Sequence, residues 1–221
     1  MSRHKPRFRS SNHRHFRERL EFKVKRFVFA SSSSVYGDTD QFPQKETHYP
    51  LLISPYALSK LAGEYYCRIF SEHFGVETVC LRYFNVFGPK QALDDEYAVV
   101  VPKFIHCILN DEQPPIFGNG KQSRDFTYID DIVDGTVAAI DKCAGYNIYN
   151  LGESKPLTVN ALIGEIEKAL GKKAKIEQLP LQPGDVERTY ADVTKARRDL
   201  GYNPNTEISD GLKRFVEWFR Q

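Results

Sequence analysis

The sequence predicts an α/β fold, with a mostly parallel sheet covered by helices on both faces. Three observations carry this expectation. Apolar bursts of strand length alternate with helical segments along the chain. The first burst is continuous and apolar, as in a strand buried on both faces. No internal repeat or low-complexity linker interrupts the alternation. In order, RFVFASSS (26–33) reads as a buried strand with its C-terminal loop. SPYALSKLAGEYYCRIFSEHF (54–74) reads as a helix. Leu58, Leu61, Tyr65 and Ile69 recur at spacings of three and four, Ser54 can cap it, Pro55 suits its first turn, and Gly75 ends it. VETVCLRYFNVFG (76–88) is a second buried strand, and VVVPKFIHCILND (99–111) a helix. DFTYIDDIVDGTVAAIDK (125–142) is a short strand, a turn and a helix. YNIYNLG (146–152) is a strand, LTVNALIGEIEKAL (157–170) an amphipathic helix closed by Gly171, and AKIEQLPL (174–181) a strand. DVTKARRDLG (192–201) and ISDGLKRFVEWFRQ (208–221) are the last helices. The rhythm loosens after about residue 90. The expected organisation is therefore an arm (1–25), a first part (26–90, with return segments in 125–152), and a second lobe with C-terminal helices (91–221).

Composition narrows the function classes. With 41% hydrophobic and 27% charged residues in 221, disordered, collagen-like and coiled-coil classes are excluded. There is no run of about 18 apolar residues and no N-terminal apolar signal region, so neither a membrane span nor secretion is expected. Four cysteines (Cys67, Cys80, Cys107, Cys143) lie far apart without a C-x-x-C, which argues against a metal site and for a reducing cytoplasm. The net charge of +2 hides an asymmetry: residues 1–26 hold ten Lys/Arg against two Glu. This basic segment is poor in aliphatics and reads as a solvated arm. Nucleic acid is not expected as a partner, because no nucleic-acid module follows.

Chemistry concentrates in two stretches. Tyr56-x-x-x-Lys60 puts a phenol and an ammonium on one helix face. A phenol of pKa about 10 is a poor base at neutral pH, and an adjacent ammonium favours its ionised form. Ser31-Ser32-Ser33-Ser34-Val35-Tyr36-Gly37 lies where a buried strand ends, the edge at which open α/β sheets bind ligands. Hydroxyls there can bond a sugar alcohol or a developing oxyanion. Singly, each stretch also reads as a surface pair or a serine-rich turn.

ASSSSVYGD, SPYALSK, LRYFNVFGP, SRDFTYIDD, YNLG and GDVERTYADVTKARRDLGY, in this order, resemble the extended short-chain dehydrogenase/reductase superfamily, within it NAD-dependent UDP-glucose and UDP-N-acetylglucosamine 4-epimerases. The resemblance spans 26–221. It implies the C-terminal part of a Rossmann-type doubly wound parallel sheet plus a smaller α/β substrate-binding lobe. It implies that Tyr56 takes the proton of the sugar 4-hydroxyl, Lys60 lowers the Tyr56 pKa and holds the nicotinamide ribose, and Ser32 bonds the sugar oxygen. Ser31, Tyr83 and Phe84 would lie on the NAD side. Ser33, Asn85, Val101, Phe117, Arg124, Asp185, Arg188 and Thr189 would lie on the UDP-sugar side: Asn85 at the pyrophosphate, Phe117 on uracil, Asp185 at the ribose. Arg124 would supply a phosphate fork, against the plainer reading of an ion pair with Asp125. A homodimer through the Tyr56–Lys60 helix would use Leu58, Ala62, Tyr66 and Phe70.

Departures from the pattern refine it. Ser34 stands where related dehydratases and UDP-glucuronate decarboxylases carry an acid, which favours epimerisation over elimination. Gln182 replaces a phosphate-binding arginine, with Arg188 as the substitute. Thr189 is a small gate beside the hexose, leaving room for an N-acetyl group. The first glycine is Gly37, so the glycine-rich turn for the NAD pyrophosphate is absent. The expectation is a fragment holding the catalytic acid/base half. The alternatives are a non-catalytic remnant that binds a nucleotide-sugar or a partner, and a UDP-glucuronate epimerase, decarboxylase or sugar dehydratase.

Overall fold

The computed structural model describes residues 24–93, 100–142, 144–181 and 186–221. Most of the basic arm therefore lies outside the described residues, as do Gln182, Asp185 and Cys143. In chain order, β1 (Arg26–Ser32) runs into a 3₁₀ turn (Ser33–Tyr36). There follow α1 (Pro55–Phe74), β2 (Glu77–Tyr83), β3 (Val86–Phe87), α2 (Val100–Leu109), β4 (Pro115–Phe117), β5 (Ser123–Arg124), β6 (Thr127–Tyr128) and α3 (Ile129–Lys142). The chain closes with β7 (Tyr146–Leu151), β8 (Leu157–Thr158), α4 (Val159–Leu170), β9 (Glu177–Leu179), α5 (Thr194–Leu200) and α6 (Ile208–Phe219).

β1, β2 and β7 form a parallel sheet in that order, Val28 opposite Val79 and Cys80 opposite Ile148. Parallel neighbours need a crossover. α1 supplies the one between β1 and β2. Side chains alternate along β2: Val79 and Leu81 pack with Ile132 and Ala139 of α3, whereas Cys80 packs with Cys67 and Phe70 of α1. Both faces are thus covered, as an apolar parallel sheet requires. A separate core joins α2, α4 and α6 through Phe104, Ile105, Leu162, Ile166, Phe215 and their neighbours.

Local sequence accounts for the ends of α1. The Ser54 hydroxyl accepts the Ala57 N–H at 3.1 Å, Pro55 needs no donor in the first turn, and Gly75 closes the helix at φ 68°. The strand expected over 76–88 is interrupted: β2 stops at Tyr83, Asn85 turns at φ 31°, and β3 pairs in parallel with β6 instead. The face of α1 also corrects the apolar spacing. Leu58, Tyr65 and Ile69 are exposed, while Ala57, Gly63, Glu64, Cys67 and Phe70 are buried. A helix lying close on a sheet takes small residues inward, and here it also takes a paired charge. Hydrophobic spacing alone cannot show which of two faces the sheet receives. Phe70 is therefore not available to a partner copy, and Tyr66 packs, half-buried, on the same cluster.

Candidate active site

Tyr56 and Lys60 lie one turn apart in the first half of α1, beside the C-terminal end of β1. The Lys60 ammonium donates to the Ala30 carbonyl at 2.9 Å and lies 5.4 Å from the centre of the Tyr56 ring. Burial lowers the Lys60 pKa, because desolvation disfavours the cation. Ser32, the last residue of β1, caps the 3₁₀ turn by accepting the Ser34 N–H at 3.1 Å. α1 packs against this turn, so phenol, ammonium and strand-end hydroxyl share one corner of the sheet. All three side chains are half-buried. In the same turn Ser33 is buried, and the Ser34 hydroxyl is enclosed without a partner.

A buried ion pair lies under this corner. Arg82 donates through Nε and Nη2 to the two Glu64 oxygens at 2.9 and 2.7 Å, and Ser31 donates to Glu64 at 2.5 Å. The guanidinium also lies 4.8 Å over the Tyr36 ring, whose hydroxyl donates to Asn150 at 2.7 Å. Burial works against the Arg82 cation, but the Glu64 hydrogen bonds prevail and its pKa is raised. Burial likewise pushes the Tyr36 phenol up to about 12, so it is a packing and hydrogen-bonding group, not a base. Sequence reasoning missed this pair. The clue was an arginine within the otherwise apolar VETVCLRY, and a glutamate four residues beyond Lys60 on the same face.

The other expected positions are distributed unevenly. Tyr83 shares a hydrogen bond with Thr136 at 3.1 Å. Phe84 is fully buried with its ring 6.1 Å from Tyr36, and Val101 is buried in the α2 core. Neither offers a ligand a surface in this conformation, because apolar packing has claimed both. Asn85 is half-buried, and its side-chain NH₂ is enclosed without a partner, as is the Thr127 hydroxyl on the strand paired with β3. Phe117 is half-buried in β4, opposite Leu179.

Among the described residues no ion pair joins Arg124 to Asp125. Its guanidinium donates to the carbonyls of Ser123 at 2.8 Å and Val186 at 2.6 Å. Asp125 is fully buried and accepts backbone N–H groups from Glu153, Ser154 and Ala191 at 2.9, 3.1 and 2.9 Å. Burial raises its pKa to about 6 against the pull of those donors. Thr189 is buried and its hydroxyl accepts the Asp125 N–H at 3.4 Å. Arg188 is exposed and lies 5.6 Å over the Phe42 ring. Beside it is an open hollow of ≈ 420 Å³ whose rim also holds Asp38, Asp40 and Glu187. Three acids against one cation make that rim a poor seat for a diphosphate. Among the described residues no group of three or more His, Cys, Asp or Glu is placed to hold a metal ion.

Comparison with known proteins gives the family. Residues 15–152 match the NAD dependent epimerase/dehydratase family. The chain is 39% identical over 202 residues to the UDP-glucuronate 4-epimerase of Thermodesulfobacterium geofontis, covering 91% of this chain and 61% of that protein. It superposes with a TM-score of 0.90, at 35% identity, on the UDP-N-acetylglucosamine 4-epimerase of Methanobrevibacter ruminantium in complex with UDP-N-acetylmuramic acid, covering 95% of this chain and 67% of that one. The UDP-glucuronic acid 4-epimerase of Bacillus cereus, in complex with UDP-glucuronic acid and NAD, matches at 34% identity with a TM-score of 0.87, covering 95% and 66%. The chain thus spans about three fifths of the length of the curated relatives it matches. With the parallel sheet, the Tyr56–Lys60 helix and the match over most of the sheet segment together, the chain belongs to the NAD dependent epimerase/dehydratase family.

Proposed function

We propose that this chain carries the acid/base and substrate-binding part of a UDP-sugar 4-epimerase. The observation that carries the reading is the Tyr56–Lys60 pair, with the ammonium anchored on Ala30 and 5.4 Å from the phenol ring. In this reading Tyr56 accepts the proton of the sugar 4-hydroxyl, Lys60 stabilises the resulting phenolate, and Ser32 holds the sugar oxygen. Asn85 and Arg124 meet the diphosphate, Phe117 the uracil, and Ser33 and Thr189 complete the pocket; the ribose role that the resemblance implies for Asp185 lies outside the described residues. Arg188, stacked on Phe42 over an acidic rim, contributes less than its charge suggests. The neutral Ser34 argues against elimination. The small Thr189 argues that UDP-N-acetylhexosamines are accepted beside UDP-hexoses, and the family setting argues for a cytoplasmic enzyme.

NAD fits this site in part. Lys60 and Tyr56 suit its nicotinamide ribose, whereas a glycine-rich turn for its pyrophosphate is not among the 221 residues, the first glycine being Gly37. When bound, NAD supplies the hydride acceptor and donor for C4.

The test is C4 inversion of UDP-glucose and UDP-N-acetylglucosamine, followed by NMR with added NAD. Conversion that Tyr56→Phe lowers about 10²–10⁴-fold supports the assignment. Tight UDP-sugar binding without conversion supports the second reading, nucleotide-sugar binding without turnover. A chain that neither binds nor converts a UDP-sugar overturns both.

A further inference from the structure

Resting on the UDP-sugar reading, we infer that Asp125 is a positioning residue: it locks the segment bearing Thr189 onto the segment bearing Arg124, and so sets the geometry of the sugar-diphosphate half of the site.

Two pieces of chain, 153–154 and 191, converge on this one carboxylate. Its Oδ1 accepts the Glu153 N–H, and its Oδ2 accepts both the Ser154 and the Ala191 N–H. Ser154 ties the same pieces a second time, its hydroxyl donating to the Ala191 carbonyl at 2.6 Å. The 187–189 stretch is laid along β5 by two backbone bonds: Ser123 N–H to the Glu187 carbonyl at 2.9 Å, and Thr189 N–H to the Ser123 carbonyl at 3.0 Å. Arg124 then spreads its guanidinium over the Ser123 and Val186 carbonyls. The position of the Arg124 fork relative to Thr189 thus depends on where Ala191 is held, and Asp125 holds it.

The site admits no substitute for a carboxylate. Asp125 has no exposed surface, so water cannot replace a lost acceptor. An amide has one acceptor oxygen. If it serves Ser154 and Ala191, its NH₂ confronts the Glu153 N–H, donor against donor. Gly152 shows how tight the junction is: a Cβ there would lie 2.8 Å from the Ala191 Cβ and 2.9 Å from Asp125 Oδ2. The three N–H donors lie apart from the hydrogen bonds described for Lys60 and Ser32, although Ala191 packs in the same core as Val35 and Tyr36 of the turn after β1.

The experiment compares UDP-glucose with uridine on the full chain by calorimetry or NMR titration. Uridine lacks the diphosphate and the hexose, and UDP-glucose has no group titrating near neutrality. Asp125→Asn is expected to weaken UDP-glucose at least tenfold while changing uridine less than threefold. Ser154→Ala, which removes only the second tie, is expected to weaken UDP-glucose two- to fivefold. A purely structural role would move both ligands together. If Asp125→Asn loses its cooperative melt, Ser154→Ala decides. Native-like variants that bind UDP-glucose as the parent does, or lose both ligands equally, overturn the positioning role and leave the UDP-sugar reading intact. A parent chain that binds neither ligand overturns the reading itself.

Discussion

Two buried acids behave oppositely at the scale of single residues. Glu64 is ion-paired, with Arg82 held through two short hydrogen bonds, both side chains 3% exposed or less. Removing one charge strands the other in a medium that solvates it poorly. Glu64→Gln should therefore cost about 3–5 kcal/mol, read from urea unfolding, and Glu64→Leu/Arg82→Met should recover much of it. A loss below about 1 kcal/mol would show that water reaches the pair. Glu153 is the opposite case: it is buried, with its carboxyl against that of Asp131. Burial first, and the neighbouring Asp131 second, raise its pKa to about 8. The folded chain then holds a proton that the unfolded chain releases near pH 4, so stability falls as pH rises from about 4 to 8 and levels off above. Glu153→Gln should flatten that fall and exceed the parent at pH 8 by about 1–3 kcal/mol in chemical unfolding. Asp125, also raised, contributes the same sign below about pH 6 in parent and variant alike, so the difference between them isolates Glu153.

α1 divides its duties between two faces at the scale of elements. Ala57, Lys60, Glu64 and Cys67 face the sheet, and the last two fix the helix to β2 through Arg82 and Thr78. Leu58, Ala62, Tyr65 and Ile69 follow a four-three-four spacing on the other side, with Leu58, Tyr65 and Ile69 exposed. That spacing is the seam of an antiparallel or parallel helix pair. A homodimer through α1, as the resemblance implies, would use Tyr65 and Ile69 where Tyr66 and Phe70 were expected. Sedimentation should give a dimer for the parent, and Leu58→Arg/Ile69→Arg should shift it to monomer with an unchanged helix signal. A parent monomeric at tens of micromolar would exclude this face.

The described sheet, taken as a whole, has three strands with β1 at one edge, and no helix of the described residues is long and apolar enough to cross a membrane. In the proposed reading Lys60 and Tyr56 serve the nicotinamide end of an NAD site, and the 221 residues contain no glycine-rich turn for its pyrophosphate end. The chain should accordingly purify without stoichiometric NAD, as judged by absorbance and acid release, while still binding UDP-glucose. Tight one-to-one NAD would mean that other backbone donors cradle the pyrophosphate. Much of this architecture was legible beforehand. Alternation of apolar runs with helical spacing reports local burial, so β1, α1, β7 and α4 follow from it within a residue or two at most ends, caps included. The motif order likewise singled out Tyr56, Lys60 and Ser32, which the packing of α1 on the turn after β1 brings to one corner. Tertiary structure alone decided which face of α1 turns inward, that Phe84 and Val101 are core, and that Asp125 binds three N–H groups instead of Arg124. Those outcomes depend on contacts between residues 18 to 66 positions apart, and no local period encodes which distant donor a buried charge will meet.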